Sequence, residues 1–231
     1  MPATIVVLGD RNLEYQTHRE IDAALSLMPD DVEGRWVRSP DAALAASADA
    51  VWVAPGTPYE DDAAVLDAIT AARAGGQPIL GTCGGFQYMA LEFARNTAGL
   101  AAAHAETDPE AADPVIAPLA CSLVGEERIV TAVAGTRVAE LCGTAPFPGF
   151  HFCNYGMSES HEGALVEAGL VISARAPDAG VEAFELPDHP FYLATLFQPQ
   201  VGSSATGVLH PLLRALVEAV SPSHGPAQAQ L

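Results

Sequence analysis

The run Pro78-Ile-Leu-Gly-Thr-Cys-Gly-Gly-Phe-Gln87 ends an apolar segment on a cysteine set among glycines, directly ahead of a helical pattern. A thiol at such a strand-to-helix turn can act as a nucleophile. The turn strains the backbone of its residue and needs small neighbours, which Gly81, Gly84 and Gly85 supply. The helix N-terminus beside the sulfur favours the thiolate, and the N–H after the cysteine can join an oxyanion hole. Cys83 is therefore the candidate nucleophile. The bland readings are a buried core thiol or a phosphate-binding glycine loop. Neither G-x-G-x-x-G nor G-x-x-x-x-G-K-[ST] occurs, and the chain has no lysine to complete the latter.

The surrounding elements decide where that thiol stands. Thr4–Leu8 is a short β-branched run ending at Gly9-Asp10, as a buried parallel strand does. Helical or strand-like patterns follow over 17–28, 35–37, 50–56, 61–74, 78–82 and 84–97, with acidic residues opening the segment 61–74 and Gly75-Gly76 closing it. Strands alternating with helices predict an α/β fold with a doubly wound, mostly parallel sheet covered on both faces. Ligands bind such sheets at the C-terminal strand edge, where Gly9, Gly56 and Cys83 fall. From about Pro118 the pattern turns β-rich, with strands expected over 120–124, 128–132, 150–155, 170–174, 181–186 and 191–197 as antiparallel additions. A helix over 208–220 closes a single domain spanning 1–220, and 221–231 reads as a disordered tail.

Composition removes several classes of function. The 231 residues carry 10 arginines against 29 acidic residues, a formal charge of −19 that repels phosphate backbones and anionic lipid. Nucleic acid and membrane surfaces are thus excluded as partners, leaving a small-molecule substrate, with a homo-oligomer left open. The first residues have no basic segment before a leader-like core, and no apolar run approaches the roughly 20 residues that span a bilayer. A cytoplasmic protein is expected. Cys83, Cys121, Cys142 and Cys153 show no Cys-x-x-Cys spacing and read as reduced thiols.

Gly81-Thr-Cys-Gly-Gly-Phe-Gln87, followed by Ala90-Leu-Glu-Phe-Ala-Arg-Asn96 and Gly99-Leu100, resembles the glutaminase domain of CTP synthase within the class I glutamine amidotransferases. His189-Pro-Phe-Tyr-Leu-Ala-Thr-Leu-Phe-Gln-Pro-Gln200 and His210-Pro-Leu-Leu-Arg-Ala215 resemble that domain's closing strand and helix. A closer resemblance is to stand-alone proteins related to the C-terminal region of CTP synthase. The resemblance implies a flavodoxin-like amidotransferase fold, a cysteine nucleophile and no cofactor. It also implies a Cys–His–Glu triad whose last two members come from a His-Pro-Glu segment, and here that segment is Gln198-Pro199-Gln200. Neither amide titrates, so the ordinary proton shuttle is absent. The family grips the glutamine carboxylate with an arginine of an Arg-His-Arg stretch, whereas this chain has His151-Phe-Cys-Asn-Tyr-Gly156. Free glutamine is therefore not the expected substrate.

Other groups could take the proton. His151 and Cys153 alternate with Phe152 on an expected strand bordering the pocket, and His104 and Glu106 follow the elbow helix. His18, after the first strand, could also reach the sheet edge. The expected catalytic set is Cys83, His151 and Glu106. Thr57 and Gly84 are expected to supply oxyanion N–H groups, since the family's Pro-Gly-Gly turn reads Pro55-Gly56-Thr57-Pro58 here and Pro58 removes the next donor. Gly56, Gln87, His104, Cys153, Asn154 and Gln198 are expected to line the substrate pocket. Cys121 and Cys142 are assigned to the core, and His161, His210 and His224 to structural roles. Cys83 and Cys153 could form a reversible disulfide or hold a metal with His151, but no four-ligand spacing appears and no metal is expected.

Two functions follow. The first is a stand-alone cysteine hydrolase or acyl-transfer enzyme acting at a C–N bond of a small metabolite other than free glutamine. The second is an inactive homologue that binds a ligand, regulates, or senses redox state through Cys83. A subunit that feeds ammonia to a partner synthase is a weaker third, because its donor chemistry is altered.

Overall fold

The computed structural model describes residues 2–221, so His224 and all of the expected tail but Ser221 lie outside the described residues. In chain order the elements are β1 (Ala3–Leu8), α1 (Gln16–Ser26), β2 (Val32–Val37), a 3₁₀ segment (Ser39–Ser47), β3 (Ala50–Val53), α2 (Asp62–Gly75), β4 (Ile79–Thr82) and α3 (Gly84–Asn96). The second half holds β5 (Ile116–Pro118), β6 (Glu126–Ala132), α4 (Arg137–Cys142), β7 (Phe147–His151), β8 (Tyr155–Met157), α5 (Glu159–Glu167), β9 (Val171–Ala176), β10 (Gly180–Glu185), β11 (Tyr192–Thr195), α6 (Ser203–Thr206) and α7 (Pro211–Val220).

Nine strands form one sheet in the order β2-β1-β3-β4-β11-β10-β9-β6-β7. The first five run parallel, and β11 hands over to the antiparallel strands β10, β9, β6 and β7. The alternation of β1 explains the two-sided core. Val6 and Leu8 join the layer that contains Phe86, Met89 and Tyr192, while Ile5 and Val7 join the layer with Trp52, Leu193, Leu212 and Leu216. β5 and β8 make a separate antiparallel pair that packs against α3.

Two expectations for the second half are corrected. Residues 120–124 form no strand: the N–H groups of Leu119 and Leu123 donate to the carbonyls of Asn154 and Cys153, an irregular pairing that no ladder continues. Residues 150–155 are not one strand either. β7 stops at His151, and Phe152, Cys153 and Asn154 leave the ladder before β8 begins. The closing helix also starts later than expected, at Pro211, where Nδ1 of His210 accepts the Leu212 N–H and the proline occupies the first turn.

Candidate active site

Cys83 is the N-cap of α3 with φ 52° and ψ −103°, the one non-glycine residue at positive φ among the described residues. Such a conformation costs on the order of 1–3 kcal/mol and persists only where the surroundings enforce it. Here the enforcement is visible. The Cys83 N–H donates to the Thr195 carbonyl of β11 at 2.8 Å, and the Cys83 carbonyl accepts from Gln87 N at 3.1 Å. A Cβ on Gly85 would stand 2.2 Å from the Val53 carbonyl oxygen, and one on Gly81 would stand 2.5 Å from the Met89 sulfur. A Cβ on Gly84 would meet the Thr57 methyl at 2.6 Å, with Gly56 N and Thr57 N at 3.3 and 3.4 Å. The three glycines therefore let the helix start press against the β3 turn, which brings the backbone of residues 56–57 beside the cysteine.

That turn is itself held. His18 on α1 accepts the Asn12 N–H through Nδ1 at 2.9 Å, so its Nε2 carries the proton and donates to the Pro55 carbonyl at 2.9 Å. Burial lowers the His18 pKa, keeping the imidazole neutral. His18 supports the candidate oxyanion turn from behind and does not line the cavity. Among the described residues no acceptor takes the N–H of Thr57 or Gly84.

A cavity of about 180 Å³ opens over the sulfur. Of the expected pocket residues, Gly56, Thr57, Cys83, Gln87, Glu106, Cys153, Asn154 and Gln198 line it, and Tyr15, Thr17, Phe152 and Tyr155 complete much of the wall. His104 stands just behind: its Nδ1 accepts the Glu106 N–H, so Nε2 donates to Gln87 Oε1 at 3.1 Å, and Gln87 Nε2 donates to the Tyr155 carbonyl. Burial, assisted by the Arg95 guanidinium, pushes the His104 pKa down to about 4. Glu106 accepts from the Thr57 hydroxyl at 2.6 Å; among the described residues it is the one carboxylate of the wall, and no arginine lines it. Gln198 turns its Oε1 toward Gln200 Nε2 at 2.8 Å, leaving Gln198 Nε2 and Gln200 Oε1 without partners among the described residues.

His151 is placed otherwise than its expected strand implied. With β7 ending at that residue, its imidazole is wholly buried against Glu182 of β10, Nε2 lying 2.9 and 3.0 Å from the two carboxylate oxygens. It does not line the cavity, whereas Cys153, released from the ladder, does. The Cys83 thiol donates to the Phe152 carbonyl at 3.6 Å, and the Cys153 pKa is raised first by Cys83 and then by burial. Cys121 is exposed rather than in the core, because residues 120–124 form no strand. Cys142 is half-buried against the second core layer, and burial pushes its thiol up to about 11. Glu182 went unremarked in the sequence, although a lone acid inside the apolar run Val181-Glu-Ala-Phe184 is a signal for a buried partner. Tyr15 and Thr17 carried no such signal. Among the described residues no cluster of three or more His, Cys, Asp or Glu is arranged to hold a metal, and no helix is long and apolar enough to cross a membrane.

The family model for the CobB/CobQ-like glutamine amidotransferase domain matches residues 4–152. The CTP synthase of Leifsonia xyli subsp. xyli is 38% identical over 170 residues, covering 67% of this chain and 30% of that protein. The CTP synthase of Pyrobaculum aerophilum is 36% identical over 198 residues, covering 78% of this chain and 37% of that protein. The chain thus spans about a third of the length of the curated relatives it matches. In structure it is similar to the glutaminase domain of Trypanosoma brucei CTPS with bound acivicin, with a TM-score of 0.80 and 22% identity over 94% of this chain and 93% of that one. A glutamine amidotransferase from Methylobacillus flagellatus superposes with a TM-score of 0.57 at 10% identity, over 95% of this chain and 91% of that one.

Proposed function

Because the chain belongs to the CobB/CobQ-like glutamine amidotransferase domain family, we propose that it performs cysteine-dependent amide chemistry, cleaving or transferring at a C–N bond of a small molecule other than free glutamine. The observation that carries this reading is the elbow: Cys83 held at φ 52° in the lining of a cavity whose wall, among the described residues, bears one carboxylate and no arginine. A ligand with an α-carboxylate would find no guanidinium fork there, whereas an amine or a neutral amide would meet Glu106, Asn154 and the Thr57 hydroxyl.

In the proposed reaction Glu106 accepts the Cys83 proton and the sulfur attacks the carbonyl carbon. The C–S bond forms as the C=O π pair moves onto oxygen, where the N–H groups of Thr57 and Gly84 receive the charge. Collapse breaks the C–N bond, and the departing nitrogen takes the proton from Glu106. Water or an amine then attacks the thioester and restores the thiol. Glu106 is preferred to His151 for the proton because it lines the cavity and His151 does not.

The test is release of ammonia or amine by the purified chain from primary amides with and without an α-carboxylate. Turnover of the carboxylate-free amides, abolished by C83A, is expected; faster turnover of glutamine would overturn the substrate reading. A second reading, a ligand-binding module without turnover, is favoured by the Gln198–Gln200 amide pair, since neither side chain can carry a proton. Iodoacetamide at neutral pH separates the two: preferential alkylation of Cys83 over the exposed Cys121 supports a nucleophile, and alkylation of Cys121 alone supports the binding module.

A further inference from the structure

We infer that Cys83 and Cys153 form a dithiol redox site that takes hydrogen peroxide or a comparably small hydroperoxide and closes to a disulfide. The inference shares with the proposed function the reading of Cys83 as the cavity's nucleophile, and it requires no amide substrate.

Three observations carry it. Both thiols line the same cavity, and each keeps 5% of its surface exposed, so a molecule admitted to that space meets both. They are neighbours: Cys83 Sγ lies 3.6 Å from the carbonyl oxygen of Phe152, the residue joined to Cys153. The segment that carries Cys153 lies between β7 and β8, outside both strands, so drawing its sulfur onto Cys83 breaks no ladder hydrogen bond. Both cysteines are free thiols in this structure.

The chemistry divides the roles. Cys83 caps α3 and lines the cavity beside the β3 turn, so its sulfur attacks first, and Cys153, whose thiol pKa is raised by Cys83 and then by burial, is the resolving thiol. Cys83 gives up its thiol proton as its sulfur attacks one oxygen of the peroxide, the O–O bond breaks, Cys83 becomes a sulfenic acid, and the leaving hydroxide takes up that proton to become water. The Cys153 sulfur then attacks the Cys83 sulfur, and its proton leaves with the sulfenic hydroxyl as a second water. Two thiols are oxidised to one disulfide and one hydrogen peroxide is reduced to two waters. A water-sized share of volume is about 30 Å³, so hydrogen peroxide fits the 180 Å³ space easily. With the sulfur of Cys83 bonded to Cys153, amide chemistry at the elbow stops until a thiol reductant reopens the pair.

The experiment treats the reduced full chain with equimolar hydrogen peroxide, counts free thiols, and maps a non-reducing digest by mass spectrometry. The expected result is loss of two thiols, a Cys83–Cys153 cross-linked peptide and full recovery with dithiothreitol. Oxidation of Cys121 while Cys83 and Cys153 stay reduced would overturn the inference, as would over-oxidation of Cys83 without a cross-link. In C153S a dimedone-trappable sulfenic acid on Cys83 is expected to accumulate, and unchanged loss of two thiols would again overturn it. If C153S does not fold, the wild-type digest decides alone. Failure here is distinct from failure of the amide reading: a Cys83 that alkylates in the reduced chain yet never cross-links removes only the redox site, and a cross-link without amide turnover removes only the amidase.

Discussion

At the scale of single residues, the elbow depends on absent side chains. Gly85 has the least room of the three, since a methyl group there would overlap a carbonyl of β3 that cannot swing away. G85A is expected to destabilise by at least about 1–3 kcal/mol through forced backbone displacement, measured as a shift in urea midpoint at constant slope. Gly75 is the contrast. It ends α2 in open space with no positive φ, and G75A is expected to stabilise by about 0.4–1 kcal/mol by restricting the unfolded chain. The same logic assigns His151 its role. Its Nε2 is matched by Glu182 within the sheet, so E182A, which leaves that buried ring nitrogen without its partner, is expected to cost about 1–3 kcal/mol, as read by chemical denaturation.

At the scale of elements, Cys83 caps α3, and α3 is tied to its neighbour α2 by an ion pair. Arg73 of α2 donates through Nε and Nη2 to both oxygens of Glu92 at 2.7–3.2 Å, with the Glu92 side chain wholly buried. Asn96 adds one further hydrogen bond to the same carboxylate. Removing the arginine leaves that charge in the interior, so R73M is expected to destabilise by about 3–5 kcal/mol. The double variant R73M/E92L, which removes both charges and fills the space with apolar groups, is expected to recover most of that loss, as a double-mutant cycle in urea would read. If R73M alone proved neutral, the pair would hold no part in placing α3.

At the scale of the whole molecule, acid sensitivity separates the histidines from the 29 acidic residues. Burial, with Arg95 in one case and Arg214 in the other, pushes His104 and His210 down to about 4. His18 and His189 are lowered chiefly by burial as well. A histidine with a depressed folded pKa is neutral in both states above pH 6.5. Below that the unfolded chain binds its proton and the native chain does not, so stability falls until the folded value is passed. His104 and His210 each carry a loss on the order of 3 kcal/mol between about pH 6.5 and 4. H210N keeps an acceptor at the N-cap of α7 and removes one titration, so its urea midpoint is expected to fall less over that window than the parent's. Equal slopes in the two chains would show that His210 does not titrate with unfolding.

The sequence by itself determined what local chemistry can encode: the glycine-flanked cysteine between an apolar run and a helix, the period-two and helical patterns that give the parallel half of the sheet, and the two amides at 198 and 200. These are legible because one strand end and one helix start suffice to specify them. The tertiary structure alone decided the fate of residues 150–155. Whether a strand continues past His151 depends on carbonyls that Leu119, Leu123 and Gly125 claim from distant positions, and on a carboxylate that β10 presents to the imidazole. Those partners lie tens of residues away, so pattern and propensity carry no record of them. The break they create withdraws His151 from the cavity and delivers Cys153 to it.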